Sequence, residues 1–147
     1  EAITEVVQKG NPVLGICIGC QIILDESEED GGVKTLSLLP GKAVRFQNEP
    51  GIKIPHMGWN QVYWTKEHDL FKGIPSGSEF YYVHSYHPSV KEEFAFAKTT
   101  YGTQTFPGVV GKENLMAAQF HLEKSGDVGL RFSYLDNLPC EHLHPFL

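Results

Sequence analysis

The stretch Pro12-Val-Leu-Gly-Ile-Cys-Ile-Gly-Cys-Gln21 decides the fold, because an apolar run there ends at a cysteine that lies between two glycines. An apolar run of this length bounded by glycines is typical of a buried strand, and the residues that follow it have the pattern of a helix. We therefore predict a strand over 12–16, a sharp turn at Cys17 and a helix over 18–28.

Cys17 is the candidate nucleophile of this turn. Its neighbours Gly15 and Gly19 lack side chains, which leaves room for the crowded backbone of a strand-to-helix turn. The dipole of the following helix is expected to lower the pKa of the thiol, and the free N–H groups of its first turn can face an oxyanion. Thiolate chemistry is the first hypothesis, and a buried structural cysteine is the alternative.

A histidine and a carboxylate that could serve this thiol lie far along the chain, in Ala118-Gln-Phe-His-Leu-Glu-Lys-Ser125. In an extended chain, residues two apart point to the same face, so Glu123 can orient the imidazole of His121. His121 would take the proton of the thiol, and Glu123 would hold the ring tautomer. Spacing alone does not distinguish this pair from a surface histidine beside a carboxylate.

Four segments occur in order along the chain: Gly15-Ile-Cys-Ile-Gly19, Pro55-His-Met-Gly-Trp-Asn60, Tyr82-Val-His-Ser-Tyr86 and Gln119-Phe-His-Leu-Glu-Lys-Ser125. Together they resemble the class I (triad) glutamine amidotransferases. The two middle segments resemble, more specifically, the glutaminase subunits of imidazole glycerol phosphate synthase in histidine biosynthesis. The resemblance implies an α/β fold, with a flavodoxin-like parallel sheet flanked by helices and an antiparallel β addition.

The resemblance also implies a reaction. Cys17 would attack the side-chain amide carbon of L-glutamine, forming a thioester and releasing ammonia, and water would then hydrolyse the thioester to glutamate. His121 would act as base and acid with Glu123 behind it, and the backbone N–H of Ile18 would supply an oxyanion donor. The residues that match the glutamine pocket of the family are Gly19, Gln21, Glu29, Ser85 and Tyr86. No metal and no other cofactor is implied.

A protein partner is implied in the same way. Relatives pass the ammonia to a cyclase subunit, a β/α barrel that makes imidazole glycerol phosphate and AICAR, and Trp59 and Lys124 match positions that face this subunit. A heterodimer is therefore expected. The alternatives are a paralogous amidotransferase subunit of another synthase, a non-catalytic fragment, and a γ-glutamyl peptidase, against which the segment 55–60 argues.

Both ends of the chain depart from the pattern of the resembled family. The chain opens at Glu1 without methionine, in the tail of a predicted helix over 1–10, whereas relatives carry a further strand and a glycine-rich loop before it. Residues 131–147 do not continue the apolar helix of relatives and resemble a divergent tail. We expect a single amidotransferase domain over 1–147 that is incomplete at its N-terminus.

Composition restricts the function classes further. The chain has 147 residues, 41% of them hydrophobic, and a formal net charge of −6, which argues against nucleic acid or an anionic membrane as the main partner. No apolar run approaches the ~18–20 residues of a membrane span. Three cysteines, one of them at the turn, fit a reducing compartment, so a cytoplasmic location is expected.

The remaining pattern predicts a strand-rich layout between the two candidate catalytic segments. Strands are expected over 42–46, 62–64, 79–86, 94–98, 106–111 and 114–121, and the last two are expected to pair around Lys112-Glu113. So many strands between the two segments suggest an antiparallel addition beside a parallel sheet.

Two further cysteine and histidine patterns have ordinary explanations. Cys17 and Cys20 form a C-x-x-C pair, typical of redox or metal sites, but the sequence has only one other cysteine, so a zinc site made of four cysteines is excluded. Cys20 is expected to point away from the turn, along the helix. Glu141-His-Leu-His144 has metal-ligand residue types, yet a flexible tail explains it better.

Overall fold

The computed structural model describes residues 2–133, apart from the side chain of Ser133. The helices are α1 (Ala2–Gln8), α2 (Ile18–Ile22) and α3 (Gly126–Ser133). The strands are β1 (Val13–Ile16), β2 (Glu26–Ser27), β3 (Val33–Lys34), β4 (Lys42–Arg45), β5 (His56–Trp64), β6 (Ser78–His84), β7 (Tyr86–Ser89), β8 (Ala95–Tyr101), β9 (Gln104–Lys112) and β10 (Leu115–Ala118). Short 3-10 turns cover Glu29–Gly31, Asp69–Phe71, Glu92–Phe94 and Leu122–Lys124.

Within these residues the strands form two sheets. The larger sheet has the order β1-β10-β9-β8-β5-β6, and the smaller one has the order β3-β2-β4-β7. β1 pairs with β10 in parallel, with Gly15 opposite Ala117, while the pairs from β10 across to β6 are antiparallel. In the small sheet only β2 and β4 are parallel. The fold is therefore mixed α/β with few helices, and the parallel pair of the larger sheet lies at the edge that carries β1.

The predicted helix over 18–28 is wrong beyond Ile22. The carbonyl of Ile22 accepts from the N–H of Leu36, and the carbonyl of Ile23 accepts from the N–H groups of Leu38 and Leu39. The returning chain thus bonds to carbonyls at the end of α2 and ends the helix. The acidic residues beyond it form β2 and a 3-10 turn instead, which sequence periodicity did not indicate.

The other predicted elements are present with shifted ends. β9 and β10 form the predicted hairpin around Lys112-Glu113, and Glu113 adopts a φ of 54° at the turn. The predicted strand 79–86 is divided at Ser85 into β6 and β7, which lie in different sheets. The predicted strand 62–64 is the end of a longer strand, β5, that begins at His56.

Two clusters of buried side chains hold the sheets together. The larger is aromatic and includes Phe46, Phe80, Phe106, Phe120 and Phe132, all at most 1% exposed. The smaller packs α2 against β1, β9 and β10 and includes Cys20, Ile23 and Leu24, all fully buried. Because the strand-to-helix turn at residue 17 lies between α2 and β1, the second cluster fixes its position.

The C-terminal end of the described chain is part of the core. α3 continues to Ser133, and Phe132 is fully buried against Phe80 and Phe120. The rest of the predicted divergent tail, 134–147, lies outside the described residues, as do Cys140 and the segment 141–144. Among residues 2–133, no helix has the length and apolar character needed to cross a bilayer.

Replacing Phe80 by Ala is expected to lower the free energy of unfolding by about 3–5 kcal/mol, because it leaves a cavity in the aromatic cluster. The control is Tyr63→Ala on β5, where the side chain is 51% exposed and the expected loss is below about 1 kcal/mol. Urea unfolding of both variants measures the difference. Equal losses would show that the aromatic cluster does not dominate the core.

Candidate active site

Cys17 lies at the junction of β1 and α2 in a conformation that non-glycine residues rarely adopt. Its φ is 53° and its ψ is −103°. Positive φ costs free energy in an L-residue and persists only where the surrounding structure holds it. The backbone N–H of Cys17 donates to the carbonyl of Ala118 at 2.8 Å, one residue beyond the ladder position that pairs Ile16 with Ala118. Pairing with β10 therefore holds the strained turn.

The glycine before the turn is required by close packing. A Cβ added at Gly15 would lie 3.0 Å from the backbone carbonyl of Gly19 and 3.2 Å from the Cβ of Ala117. Gly19 is itself buried in the first turn of α2. Glycine is therefore required at position 15 for a steric reason, because the first turn of α2 packs directly against the end of β1.

Burial raises the pKa of the Cys17 thiol above its ordinary value. The backbone N–H of Ile18 lowers the pKa, Glu123 raises it and Lys124 lowers it, and the sum remains a raised pKa. The predicted lowering by the helix is present in the contribution of the Ile18 N–H, but desolvation of the half-buried thiol outweighs it, so the net shift of the pKa is upward. The thiol consequently needs a base to take its proton.

His121 and Glu123 form a direct hydrogen bond. Nδ1 of His121 lies 2.5 Å from Oε1 of Glu123. His121 has extended backbone, and Glu123 lies in the 3-10 turn that follows it. Although burial raises the pKa of the Glu123 carboxyl, the hydrogen bond from His121, a backbone N–H and the charge of Lys124 lower it overall. The carboxylate is thus ionised and can hold the imidazole in one orientation.

The backbone of His121 is anchored to β6. Its N–H donates to the carbonyl of Tyr81 at 2.9 Å. The buried hydroxyl of Ser125 accepts from the N–H of Tyr81 at 2.9 Å and donates to the carbonyl of His121. The hydroxyl of Ser125 therefore links the backbone of His121 to the backbone of Tyr81 on β6. Ser125 lies four residues after His121 in the quoted motif, whereas no sequence signal pointed to Tyr81.

The turn and the histidine segment meet because they follow neighbouring parallel strands. Cys17 follows β1, and His121 follows β10 by three residues. The carboxyl ends of adjacent parallel strands open at the same edge of a sheet, where α/β proteins place their sites. Glu123 and Lys124 lie close enough to the thiol to shift its pKa electrostatically.

Two residues of the predicted glutamine pocket are joined by a hydrogen bond. Nε2 of Gln21, on α2, donates to the carbonyl of Tyr86 at 2.9 Å and to Oε1 of Gln119 at 3.1 Å. The carbonyl of Ser85 accepts from the N–H of Phe46 at 3.1 Å. Gln119 is fully buried, and sequence reasoning did not assign it a role although it opens the quoted histidine motif.

Glu29 lies in the exposed 3-10 turn after β2 rather than in this network. Its backbone N–H donates to the hydroxyl of Ser27 at 3.2 Å. The neighbouring Glu28 bonds to β4, accepting from the N–H of Arg45 at 2.9 Å. A role for Glu29 toward a substrate ammonium stays a prediction.

The two predicted interface residues lie on one exposed surface around Tyr81. Trp59 is 53% exposed and packs edge-on against Tyr81, with ring centroids 5.9 Å apart. Nζ of Lys124 lies 5.9 Å from the centroid of the same ring. Met57, two residues before Trp59 on β5, is 62% exposed. We call Met57, Trp59, Tyr81 and Lys124 the aromatic patch.

The second cysteine does not belong to the reactive site. Cys20 is fully buried in the core beneath α2, and burial raises its pKa far above the ordinary value. A buried, protonated thiol is a poor nucleophile and a poor partner for thiol exchange. Among residues 2–133, no cluster of three metal-ligating side chains is present.

The geometry defines a class of protein. A strained cysteine at a strand-to-helix turn, with a histidine and carboxylate pair after the adjacent parallel strand, is the arrangement that thiol-dependent acyl-transfer enzymes of α/β fold use. The family model described as "Glutamine amidotransferase class-I" matches residues 1–131. The chain belongs to the class-I glutamine amidotransferase family.

Similar proteins agree with this family and its fold. The imidazole glycerol phosphate synthase subunit HisH of Methanocaldococcus jannaschii is 47% identical over 131 residues, covering 89% of this chain and 65% of that protein. The HisH subunit of Synechococcus sp. (strain JA-3-3Ab) is 46% identical over 133 residues, covering 89% of this chain and 61% of that protein. The chain spans about three fifths of the length of such relatives.

A solved structure bears on the fold alone. A glutamine amidotransferase from Thermotoga maritima aligns with a TM-score of 0.60 at 20% sequence identity, covering 89% of this chain and 49% of that one. The predicted α/β amidotransferase fold class is therefore confirmed. In this chain its parallel part is small, and antiparallel strands make up most of the larger sheet.

The raised thiol pKa has a testable consequence. Alkylation of Cys17 by iodoacetamide is expected to accelerate with pH through a midpoint above the ordinary ~8.5. Glu123→Gln removes a negative charge that raises this pKa, so the midpoint should move to lower pH. Glu113→Gln, at the exposed β9–β10 turn, is the control and should leave it in place. A midpoint below about 8 in the unaltered chain would contradict the dominance of burial.

Proposed function

We propose that this chain is the glutaminase part of a HisH-type subunit of imidazole glycerol phosphate synthase, acting in histidine biosynthesis. It would hydrolyse L-glutamine to glutamate and ammonia. The proposal is carried by the way the cysteine turn joins the histidine segment. The N–H of Cys17 bonds to the carbonyl of Ala118, and three residues after Ala118 the side chain of His121 bonds to that of Glu123. The identity to HisH subunits, 46–48%, supports this member of the family over others.

The first half of the proposed reaction uses the thiol and the imidazole. Because Nδ1 of His121 donates to Glu123, its Nε2 is the nitrogen that takes the proton from Cys17. The sulfur then bonds to the side-chain amide carbon of glutamine, and the C=O electrons move onto oxygen. When the tetrahedral intermediate collapses, the C–N bond breaks and His121 returns the proton to the leaving nitrogen as ammonia.

The second half regenerates the enzyme. His121 takes a proton from water and the hydroxide adds to the thioester carbon. When the tetrahedral intermediate collapses, the C–S bond breaks, His121 returns the proton to the sulfur, and glutamate leaves. The backbone N–H of Ile18 interacts with the Cys17 sulfur in the resting state and would donate to the oxyanion in both halves. The negative charge of Glu123 stabilises the imidazolium that forms in each half.

Substrate recognition is proposed for the residues between α2 and β7. Gln21 holds the backbone of Tyr86, and the backbone of Gly19 in the first turn of α2 would contact the substrate beside the thiol. The backbone at Ser85 and Tyr86 would bind the α-carboxylate of glutamine. Glu29 would approach the ammonium group from the neighbouring turn.

A cyclase subunit is the proposed partner, in a cytoplasmic heterodimer that combines glutaminase and lyase activities to make imidazole glycerol phosphate and AICAR. The aromatic patch would form part of the interface, because an exposed tryptophan and methionine around a half-buried tyrosine and beside a lysine are typical anchors of a protein interface. The backbone of Tyr81 also bonds to that of His121. A partner bound to the patch would therefore contact Tyr81, whose backbone is hydrogen-bonded directly to the proposed catalytic base.

The nucleophile is tested with a diazo-ketone analogue of glutamine. In the full-length protein with a cyclase subunit, mass spectrometry should show one adduct, on Cys17. Cys17→Ser should abolish the adduct and lower kcat/KM for ammonia release by at least ~10³-fold.

The matched control for that experiment is Cys20→Ser, three residues along the same turn and helix. It should lose some stability, because Cys20 is fully buried, yet keep both the adduct and the activity. If Cys20→Ser were as inactive as Cys17→Ser while still folded, the assignment of the nucleophile would be withdrawn.

The interface is tested by Lys124→Ala. The charge is exposed, so the variant should fold normally and bind the cyclase subunit about two- to tenfold more weakly in calorimetric titration. Lys112→Ala removes another exposed lysine, at the β9–β10 turn, and is expected to bind like the unaltered chain. Equal affinity for all three proteins would remove Lys124 from the interface.

A further inference from the structure

Two buried histidines face each other across β5 and β6. His56 is 3% exposed and His84 is 6% exposed, and they occupy opposite positions in the strand pairing. Nδ1 of His56 lies 2.9 Å from Nε2 of His84. In a pair of imidazoles at this distance, one nitrogen must donate and the other must accept. The mechanism above uses neither ring.

The partners at the two ends decide which nitrogen donates. Nδ1 of His84 lies 2.8 Å from the carbonyl of Tyr86, which can only accept, so His84 carries its proton on Nδ1. Its Nε2 is then the acceptor, and Nδ1 of His56 must be the donor. That leaves Nε2 of His56 to accept from Nδ2 of Asn60 at 3.3 Å.

The far end of the chain of hydrogen bonds is also satisfied. The amide nitrogen of Asn60 donates to the carbonyl of Thr100 at 2.9 Å, and its oxygen accepts from the N–H of Gln61 at 2.8 Å. These bonds fix the amide orientation, so Asn60 presents a hydrogen to His56. One consistent set of tautomers therefore runs from Asn60 through both rings to Tyr86.

The surroundings keep both rings neutral. His56 lies between the rings of Tyr82 and Tyr101, with centroids 4.8 and 4.0 Å away. Phe46 and Phe106 pack against both imidazoles. Burial lowers the pKa of His56 to about 4 and that of His84 to about 3. Near pH 7 each ring therefore has one donor and one acceptor, as the chain of hydrogen bonds requires.

The chain of hydrogen bonds ends at Tyr86, in the proposed glutamine pocket. The N–H of Phe46 donates to the carbonyl of Ser85, so the next pair, Arg45 and Tyr86, faces without ladder bonds. The N–H and carbonyl of Tyr86 therefore point away from β4. The carbonyl accepts there from both Gln21 and His84.

We propose that Asn60, His56 and His84 are positioning residues, which hold the Tyr86 backbone so that its N–H faces the carboxylate of the bound amino acid. The proposal rests on the proposed function, since it names how that site recognises its substrate. Asn60 lies next to Trp59 of the aromatic patch on β5. The chain of hydrogen bonds from Asn60 to Tyr86 therefore joins the partner surface to the substrate pocket.

The tautomers can be observed without any assay of activity. In ¹⁵N-labelled full-length protein, long-range ¹H–¹⁵N correlation spectra should show both His56 and His84 as neutral rings protonated on Nδ1. They should stay so from about pH 8 to about pH 5.5, below the ordinary midpoint near 6.5. A His84 ring protonated on Nε2, or titrating near pH 6.5, would overturn the proposal.

The positioning role is tested by a matched pair of variants. His84→Asn places an amide N–H near the position of Nδ1 and can still donate to Tyr86, whereas His84→Leu has similar bulk and no donor. With a cyclase subunit present, His84→Leu should raise KM for glutamine about five- to twentyfold with kcat changed less than twofold. His84→Asn should restore most of the KM.

The control is a buried hydrogen bond on the same strand that does not reach the pocket. Tyr82→Phe removes the contact between the Tyr82 hydroxyl and Thr99, 2.7 Å long, and should lower thermal stability without changing KM. If His84→Asn and His84→Leu raised KM equally, or if kcat fell instead, the positioning role would be rejected. An unaltered protein that releases no ammonia would reject the proposed function instead, so the two failures are distinguishable.

Discussion

The parallel pairing of β1 with β10 is the contact on which the rest of the site depends. It continues one residue beyond the strand, where the N–H of Cys17 bonds to the carbonyl of Ala118. That bond holds a cysteine at a φ of 53°, which the chain would not adopt by itself. The same pairing fixes the end of β10, from which the chain continues to His121. A loss of register here would displace the thiol and the imidazole together.

Burial acts in two ways around this site. It raises the pKa of the Cys17 thiol, so the proposed nucleophile would be stored as a thiol and would need a base such as His121 to take its proton. It lowers the pKa of His56 and His84, so those rings serve as hydrogen-bonding groups rather than as bases. His121 instead bonds through Nδ1 to the carboxylate of Glu123. The surroundings of each histidine therefore decide which role it is proposed to have.

Local patterns predicted those parts of the fold that local chemistry controls. The strand before Cys17 and the hairpin around Lys112-Glu113 were predicted because apolar runs and turn residues specify them directly. The helix over 18–28 was predicted too long. It ends where the chain of residues 36–39 returns and bonds to its carbonyls, a contact between segments that periodicity cannot express. The break at Ser85 was missed because no glycine or proline marks it and strand-forming residues lie on both sides of it, although the two strands belong to different sheets.

The sequence by itself determined the family and indicated the residues of the candidate triad, because small residues around a cysteine and a distant histidine motif are readable in order along the chain. Only the tertiary structure decided the electrostatics and the hydrogen-bonding of the site. The sign of the thiol pKa shift, the anchoring of His121 by Tyr81 and Ser125, and the tautomers of the His56–His84 pair all depend on which groups become buried together. Burial and long-range pairing are properties of the assembled sheets, and no local pattern encodes them.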